Sequence, residues 1–333
     1  MRDVVAAVVL LASMFIGIGC DWPEPEPVAR PRPAPPKPAI PQVVRTVVAR
    51  DLKKLPAEVT IADLASVREM NLIGVDIEDI SFAAYMPKLR IMDLRFTKVR
   101  DLSPLAGLQH LWWLSVESSQ VADISALEDT PLLTKLFLTD TEVSDLSALK
   151  GLIHLRSLSI EGTEVSDLAP ITNLDDLWYF WCDRTRVSNI KPLAGMKKLE
   201  KLGLSETAIS DLGPLEGKIA LRELNLFGSP VKDIRPLARC AALETLDLVE
   251  TGVSDISALS SLVQLHRLSL GKTKVSSLKP LSTLKNLEYL DFSFTRVDDL
   301  TPLAKLDNLK DVRLFGTPAA GRGEVWSQKQ GQK

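Results

Sequence analysis

Three histidines, His110, His154 and His266, are the side chains of this 333-residue chain best suited to acid–base chemistry near neutral pH. Such chemistry needs a nucleophile, a base and a group that orients the base within hydrogen-bond reach of one another. No such set converges on these histidines by pattern, and no phosphate loop, dinucleotide fingerprint or metal-spaced Cys/His motif occurs. The sequence therefore predicts a protein that is not an enzyme and needs no cofactor.

Cys20 ends a segment that is typical of exported proteins. An apolar run from Val4 to Ile18 follows a short polar start, and it is shorter than the roughly 20 residues of a membrane-spanning helix. With the small residues before Cys20, this segment resembles a bacterial lipobox, although Gly17 stands where leucine is usual and Asp3 weakens the positive start. The resemblance implies a signal peptide over residues 1–19 and a diacylglycerol on Cys20; an uncleaved membrane anchor is the alternative.

Residues 20–42 form a proline-rich linker, with nine prolines among the 22 residues after Cys20. This composition favours polyproline II and predicts a spacer from the membrane, with a docking site for proline-recognising domains as the other interpretation. Asp21 resembles the inner-membrane retention signal of enteric bacteria, a rule that varies between bacteria. We expect a lipid-anchored protein of the cell envelope, on the periplasmic or extracellular side, in either membrane.

A leucine recurs every 22 residues without one insertion. Counting this leucine as offset 0, apolar residues return at offsets 3, 5, 10, 13 and 16, and usually at 19. One such unit cannot bury its apolar face alone, whereas stacked units share a continuous core. The leucines are Leu89, Leu111, Leu133, Leu155, Leu177, Leu199, Leu221, Leu243, Leu265, Leu287 and Leu309.

The pattern L-x-x-L-x-L, followed by D-[LI]-x-P-L, resembles the leucine-rich-repeat family, specifically the 22-residue class of bacterial internalins. The resemblance implies an α/β solenoid with a curved parallel sheet on its concave side and short 3-10 or helical arcs on its convex side. We predict about eleven coils over residues 67–318, an N-terminal cap over 43–66 and a disordered tail over 319–333. The motif is specific for fold and poorly specific for function.

Two polar columns depart from or extend this pattern. Offset 8 carries Thr or Ser where the family has Asn, and we interpret these hydroxyls as structural hydrogen-bonding groups. Offset 12 is mostly Asp, which favours an N-cap of each arc over a calcium ladder because Asn189 and Ser277 also occur there. Cys182 and Cys240 lie two coils apart at different offsets, which favours buried free thiols over a disulfide.

Offsets 2, 4 and 6 alternate with the core leucines and predict the residues on the concave face. Aromatic side chains on four consecutive coils, rimmed by charges, are typical of interface hot spots, while local packing on a broad sheet is the alternative. A second group nearer the C-terminus is expected to cap the last coil rather than bind a partner; it consists of Phe227, Tyr289, Phe294, Arg313 and Phe315. The predicted partner-binding residues are Trp113, Phe137, Tyr179, Trp181, Arg95, Glu117, Lys135, Glu161, Asp183 and Lys201.

The net charge of −3, with both signs interspersed, gives no electrostatic footprint for nucleic acid. We therefore expect a membrane-anchored, monomeric module that binds a protein or peptide on its concave face. Carbohydrate binding, with rings stacked on sugars, and a purely structural envelope spacer are the two alternatives.

Overall fold

The computed structural model describes residues 39–320. The expected signal peptide, the lipid-accepting Cys20, most of the linker and residues 321–333 of the expected tail lie outside the described residues.

Twelve three-residue strands form one parallel sheet, and each strand pairs with the next along the chain. The register is constant: Glu69 lies opposite Ile91, and every later pair is likewise 22 residues apart. The strands are β1 Glu69–Asn71, β2 Ile91–Asp93, β3 Trp113–Ser115, β4 Lys135–Phe137, β5 Ser157–Ser159, β6 Tyr179–Trp181, β7 Lys201–Gly203, β8 Glu223–Asn225, β9 Thr245–Asp247, β10 Arg267–Ser269, β11 Tyr289–Asp291 and β12 Asp311–Arg313.

The core consists of the predicted apolar columns. In the coil that begins at Leu155, the residues Leu158, Ile160, Val165 and Leu168 are all at most 1% exposed. The same offsets are buried in nearly every coil, so the apolar faces of neighbouring coils cover one another. The α/β leucine-rich-repeat solenoid predicted from the period is confirmed, with twelve strands where about eleven coils were expected.

The first coil is covered by helix α1 (Gln42–Leu52), a 3-10 turn (Pro56–Glu58) and the short helix α2 (Ile61–Leu64). Val44 and Val48 of α1 are buried in the common core. The packed chain begins before the expected boundary at residue 43, because Ile40 is also buried there. At the start of α2, bonds from Thr60 and Lys54 hold the pKa of Asp63 at about 2.

Each coil returns through a 3-10 turn on the side away from the sheet. The turns are Ser81–Tyr85, Ser103–Leu105, Ser125–Asp129, Ser147–Leu149, Ala169–Ile171, Lys191–Leu193, Gly213–Leu215, Arg235–Arg239, Ser257–Ser261, Lys279–Thr283 and Thr301–Leu303.

The aspartates at offset 12 start these turns, although one residue earlier than predicted. The N-cap position holds the buried residue of offset 13, Leu102 in the second coil, and no side chain caps from there. Asp101 Oδ1 instead accepts the N–H of Ser103, the first residue of the turn, at 2.7 Å. Asp145 accepts from Ser147 in the same way, which lowers the pKa of its carboxyl. Hydrogen bonding to the backbone therefore explains why aspartate recurs at offset 12.

The hydroxyls at offset 8 bond within their own coil. Thr97 Oγ1 donates to the carbonyl of Leu94 at 2.7 Å, and Thr251 donates to Leu248 at the same distance. Ser119, in contrast, is buried with no hydrogen-bond partner for its hydroxyl. The structural role expected of this column is therefore found in these coils.

Cys182 and Cys240 are buried free thiols, as predicted. Burial raises the pKa of both sulfhydryls, because an apolar surrounding disfavours the thiolate.

The C-terminal end differs from the prediction in two respects. The aromatic residues expected to cover the last coil do not do so, since Phe294 is 60% exposed and Phe315 is 75% exposed. The ordered chain also continues past residue 318, because Ala319 is buried and its N–H donates to Val297. Phe315 follows the last strand, so its ring has no further coil to pack against, whereas the ring of Phe294 lies over Gly316 and stays largely exposed.

Candidate functional site

The open face of the sheet, which we define by the residues at offsets 2, 4 and 6, lies opposite the buried offset-3 column. On β3, Leu114 is buried in the core while Trp113 and Glu117 are partly exposed. Alternation along a strand places these side chains on the opposite side from the leucines. The ten predicted partner-binding residues all belong to this face.

The four predicted aromatic residues form two pairs. The ring centroids of Trp113 and Phe137 are 5.8 Å apart, with the planes tilted by 50°. The rings of Tyr179 and Trp181 are 5.6 Å apart and nearly perpendicular, an edge-to-face arrangement. Trp178 adds a third ring, 5.9 Å from Tyr179. The side chains of all five are only partly exposed.

Strand β5 separates the two pairs and carries only small side chains on this face. Ser157 and Ser159 are each 3% exposed, because larger side chains of β4 and β6 cover them. The Ser159 hydroxyl hydrogen-bonds Thr139 Oγ1 at 2.8 Å. Since adjacent parallel strands are about 4.8 Å apart, the aromatic residues of β4 and β6 are rooted about 10 Å from one another across this strip.

Offset 4 has a structural task in five of the twelve coils, where an Asn or Asp side chain accepts the N–H two residues later. Asp247 Oδ1 accepts the N–H of Val249 at 2.9 Å, where the chain leaves β9, and Asp291 and Asn225 accept the equivalent N–H at 2.8 and 3.1 Å. Phe137 and Trp181 stand at this offset without any acceptor oxygen. These two coils therefore carry large apolar surface at a position where an Asn or Asp can satisfy a backbone donor.

Trp181, Asp183 and Gly203 depend on one another. A Cβ at position 203 would overlap the Trp181 ring, so glycine lets the indole lie against the next strand. Glycine has no side chain to accept the N–H of Ser205, as Asn225 accepts that of Phe227 in the next coil. Asp183 supplies it from the preceding coil, through a short hydrogen bond from Ser205 N to its Oδ1. Burial, with Glu161 nearby, raises the pKa of Asp183 to about 6.

Three of the predicted charged residues form ion pairs on the face. Arg95 binds Asp93 with two guanidinium nitrogens, at 2.9 and 2.7 Å. Lys201 Nζ is 2.9 Å from Glu223. Glu161 is 3.1 Å from the guanidinium of Arg184. These pairs are partly exposed, and each stabilises the fold by roughly 1 kcal/mol or less.

Glu117 and Lys135 form no ion pair within residues 39–320. Burial raises the pKa of Glu117, and the neighbouring carboxylates add to this effect while Arg95 opposes it. The Lys135 ammonium is 6.0 Å from the centroid of the Trp112 ring. Both charges are therefore free to meet a ligand.

Sequence reasoning missed the contribution of offset 7, where each coil turns out of the strand. Backbone φ is positive there in all twelve coils, including 57° at Phe96 and 54° at Arg184. Arg184 is 3.0 Å from Asp140 two coils away, as well as bonded to Glu161. Gly162 stands between them, and the recurrence of glycine at this offset, at Gly162, Gly228 and Gly316, was the available signal for the left-handed backbone.

The C-terminal half of the open face is built differently. The Arg267 guanidinium carbon is 4.4 Å from the centroid of the Tyr289 ring, and that of Arg313 is 5.3 Å from it. Arg267 is exposed, whereas Tyr289 is partly covered. The only aromatic ring at offset 2 in these coils therefore already has cationic neighbours within the chain.

Within the described part of the chain, no three His, Cys, Asp or Glu side chains are placed to hold a metal ion. None of the helices between residues 39 and 320 is long and apolar enough to cross a membrane.

A family model for leucine-rich repeats (2 copies) matches residues 263–305. A comparison with curated protein sequences gives no match. Together with the twelve-stranded sheet, these findings define the fold as a leucine-rich-repeat solenoid.

Its solved structural neighbours include an internalin, InlF of Listeria monocytogenes, with a TM-score of 0.80 and 27% identity over 82% of each chain. A leucine-rich-repeat protein of Leptospira interrogans has a TM-score of 0.76 and 18% identity over 81% of this chain and 71% of its own. A plant peptide hormone receptor, RGFR1 in complex with RGF2, has a TM-score of 0.56 and 14% identity over 77% and 53%. Leucine-rich-repeat proteins in general are binding modules rather than enzymes.

Proposed function

We propose that this protein is a membrane-tethered module of the bacterial cell envelope that binds a protein partner on the open, concave face of its sheet, over β3 to β7. The supporting observation is the pair of large rings, Phe137 and Trp181, at offset 4, where five coils carry an Asn or Asp that accepts a backbone N–H. Packing alone would favour the Asn or Asp of other coils, because that residue satisfies a backbone donor. Large, partly exposed rings in its place are what protein interfaces use as anchors.

The arrangement of charges supports the same function. Arg95, Glu117, Lys135 and Glu161 surround the aromatic pairs, so an apolar centre has a polar rim. A solenoid of this fold binds a hormone peptide in the RGFR1–RGF2 complex, although at 14% identity this likeness concerns the fold only.

The tether rests on the sequence before the solenoid. The apolar run, Cys20 and the proline-rich linker together favour a lipid anchor with a spacer of roughly 60 to 70 Å, at about 3.1 Å per residue in polyproline II. Metabolic labelling with a palmitate analogue tests this anchor: label in the wild type that is lost in Cys20→Ser supports it, and equal labelling of both contradicts it.

Photo-crosslinking tests the binding face in living cells with the full chain. A benzophenone amino acid replaces Trp113 or Phe137 in one set of variants, and Ile153 or Ile219, both exposed on the arc side, in the control set. We expect a discrete protein adduct from the face positions only. Adducts from the control set alone, or none from either set, would contradict the proposed face, and a glycan released from the face positions would favour carbohydrate binding.

A further inference from the structure

We propose that the segment bound on this face is basic, with arginine or lysine side chains that contact the aromatic pairs and the carboxylates at offset 6. This inference rests on the proposed function and adds the chemistry of the partner. It is carried by the balance of paired and unpaired charges around the rings.

Carboxylates outnumber their basic partners over β3 to β6. Arg184 is shared between Asp140 and Glu161, so that group of three keeps a net negative charge. Glu117 and Asp183 have no ion pair within the described residues, although Asp183 bonds Ser205 N. Lys135 is the one free cation on this part of the face, and it lies on the offset-2 side, away from the carboxylates.

The excess negative charge is desolvated. Glu117 and Asp183 are partly or largely buried, and each lies in the field of Glu161, which adds to the effect of burial in raising both pKa values. A cation that binds here relieves this repulsion, whereas an acidic ligand increases it. Offset 6 places Glu117 and Glu161 on the same row, two coils or about 10 Å apart, which is within the span of two side chains of one extended peptide.

The rings complete a recognition surface for cations. A guanidinium or ammonium is attracted to the face of an aromatic ring, most strongly to tryptophan, and Trp113, Phe137, Tyr179 and Trp181 lie beside the carboxylate row. In the C-terminal half the chain itself supplies this contact, with Arg267 over Tyr289. Over β3 to β6 the one cation near a ring in the described chain is Lys135, which approaches Trp112 and none of these four rings, so the partner provides their cation.

Phe96 marks the edge of this surface. It is 61% exposed and has a left-handed backbone, with φ of 57°, which costs a phenylalanine roughly 1 kcal/mol or more. Its N–H donates to the backbone carbonyl of Glu117 at 2.9 Å, so Phe96 lies on the strand next to the one that carries the unpaired carboxylate. Its exposed ring offers apolar contact to the flank of a bound peptide.

Two synthetic nonapeptides test the inference with the full chain in detergent, Ser-Arg alternating in one and Ser-Glu in the other, titrated while tryptophan emission is recorded. We expect saturable binding of the arginine peptide only. In Glu117→Gln with Glu161→Gln its affinity should fall at least about tenfold, or roughly 1.4 kcal/mol. The matched control is Glu128→Gln with Glu216→Gln, because Glu128 is unpaired and Glu216 pairs with Arg239, both on the arc side; here we expect less than a twofold change.

Equal weakening by the two double variants would overturn the inference, since it would show attraction to net charge only. Equal binding of both peptides, or no binding of either, would do the same. Thermal unfolding confirms that the variants are folded, and Glu117→Gln alone, which breaks no ion pair, serves if the double variant is not. Crosslinking separates the two proposals. A partner adduct at Trp113 that persists in Glu117→Gln with Glu161→Gln supports the binding face and contradicts a basic partner. No adduct in the wild type contradicts the binding face itself.

Discussion

The two halves of the open sheet face share the same backbone geometry, but their side chains have different roles. From β8 to β11, Asn225, Asp247 and Asp291 cap the chain as it leaves each strand, and the one ring at offset 2 already has an arginine over it. From β3 to β7, Phe137 and Trp181 replace the cap, and Asp183 and Glu117 retain desolvated charge. The side chains named in the C-terminal half bond groups of the same chain. The half from β3 to β7 keeps apolar and charged surface partly exposed, which is where we propose that a partner binds.

We expect the largest difference between the two halves when a glycine in each is replaced by alanine. At Gly203→Ala the new methyl overlaps the Trp181 ring, and we expect a loss of roughly 2 to 3 kcal/mol in the free energy of unfolding, in the range of overpacked cores. At Gly271→Ala, in the C-terminal half, the nearest atom is 3.6 Å from the new Cβ, and we expect a change below about 0.5 kcal/mol. Urea denaturation of both variants measures the difference. Similar losses at both sites would mean that Trp181 does not depend on Gly203.

Asp183 gives the aromatic half a dependence on pH. Its pKa of about 6 in the folded protein lies above the unfolded value near 3.9. Between these values the folded state keeps a proton that the unfolded state has lost, so the contribution of Asp183 to stability falls as pH rises from about 4 to 6. We expect Asp183→Asn, which can still accept from Ser205, to remove about 1 to 2 kcal/mol of this decline, after allowance for solvent screening.

Denaturation of wild type and Asp183→Asn at pH 4, 5, 6 and 7 checks this expectation. The difference between the two proteins should grow up to about pH 6 and then stay constant, because other raised carboxyls such as Asp247 affect both equally. A constant difference at all four pH values would assign an ordinary pKa to Asp183.

Substitutions at offset 4 in each half test whether this position holds either a ring that anchors the partner or an acceptor for a backbone N–H. Phe137→Asn supplies an acceptor for the N–H of Thr139, so we expect a change below about 1 kcal/mol in unfolding free energy together with loss of partner crosslinking. Asn225→Ala removes an existing bond at 3.1 Å, and should cost about 1 kcal/mol without affecting the partner. Crosslinking unaffected by Phe137→Asn would contradict its role as an anchor.

The smallest effect is expected at the cation–π contact of the C-terminal half. Arg267→Gln removes the guanidinium that lies 4.4 Å from the Tyr289 ring centroid, and we expect a loss of about 0.5 to 1 kcal/mol, as for exposed pairs of this kind. Tyr289→Leu with and without Arg267→Gln forms the double-mutant cycle. A coupling energy of zero would show that Arg267 is as free to meet a ligand as Lys135.

The repeat was predictable from sequence because its cause is a regular column of leucines, which fixes strand, core and register together. The face residues followed from the same alternation. What could not be predicted was where Arg184 reaches, since its bond to Asp140 depends on the left-handed backbone at offset 7. The role of Gly203 was hidden too, because it arises from the direction of an indole on a neighbouring strand.

The predicted cap of the last coil failed for a related reason. Phe294 and Phe315 were expected to cover the end because apolar residues usually lie against a core. Their offsets, 7 and 6, turn them out of the coil instead, and Phe294 has a positive φ of 59°. The apolar residue type therefore predicted that both rings are buried, but their offsets in the repeat leave them exposed.

The hydroxyls at offset 8 have a consequence for how such a chain can change its length in evolution. All of them except Ser119 bond a carbonyl three residues earlier in their own coil, as Thr273 does with Leu270 at 2.7 Å, and so the bond does not cross from one coil to the next. A duplication or deletion of 22 residues leaves every one of these bonds intact and every strand in register. Recombination between coils can therefore lengthen, shorten or reorder the binding face. Selection can act on one coil almost independently of the others.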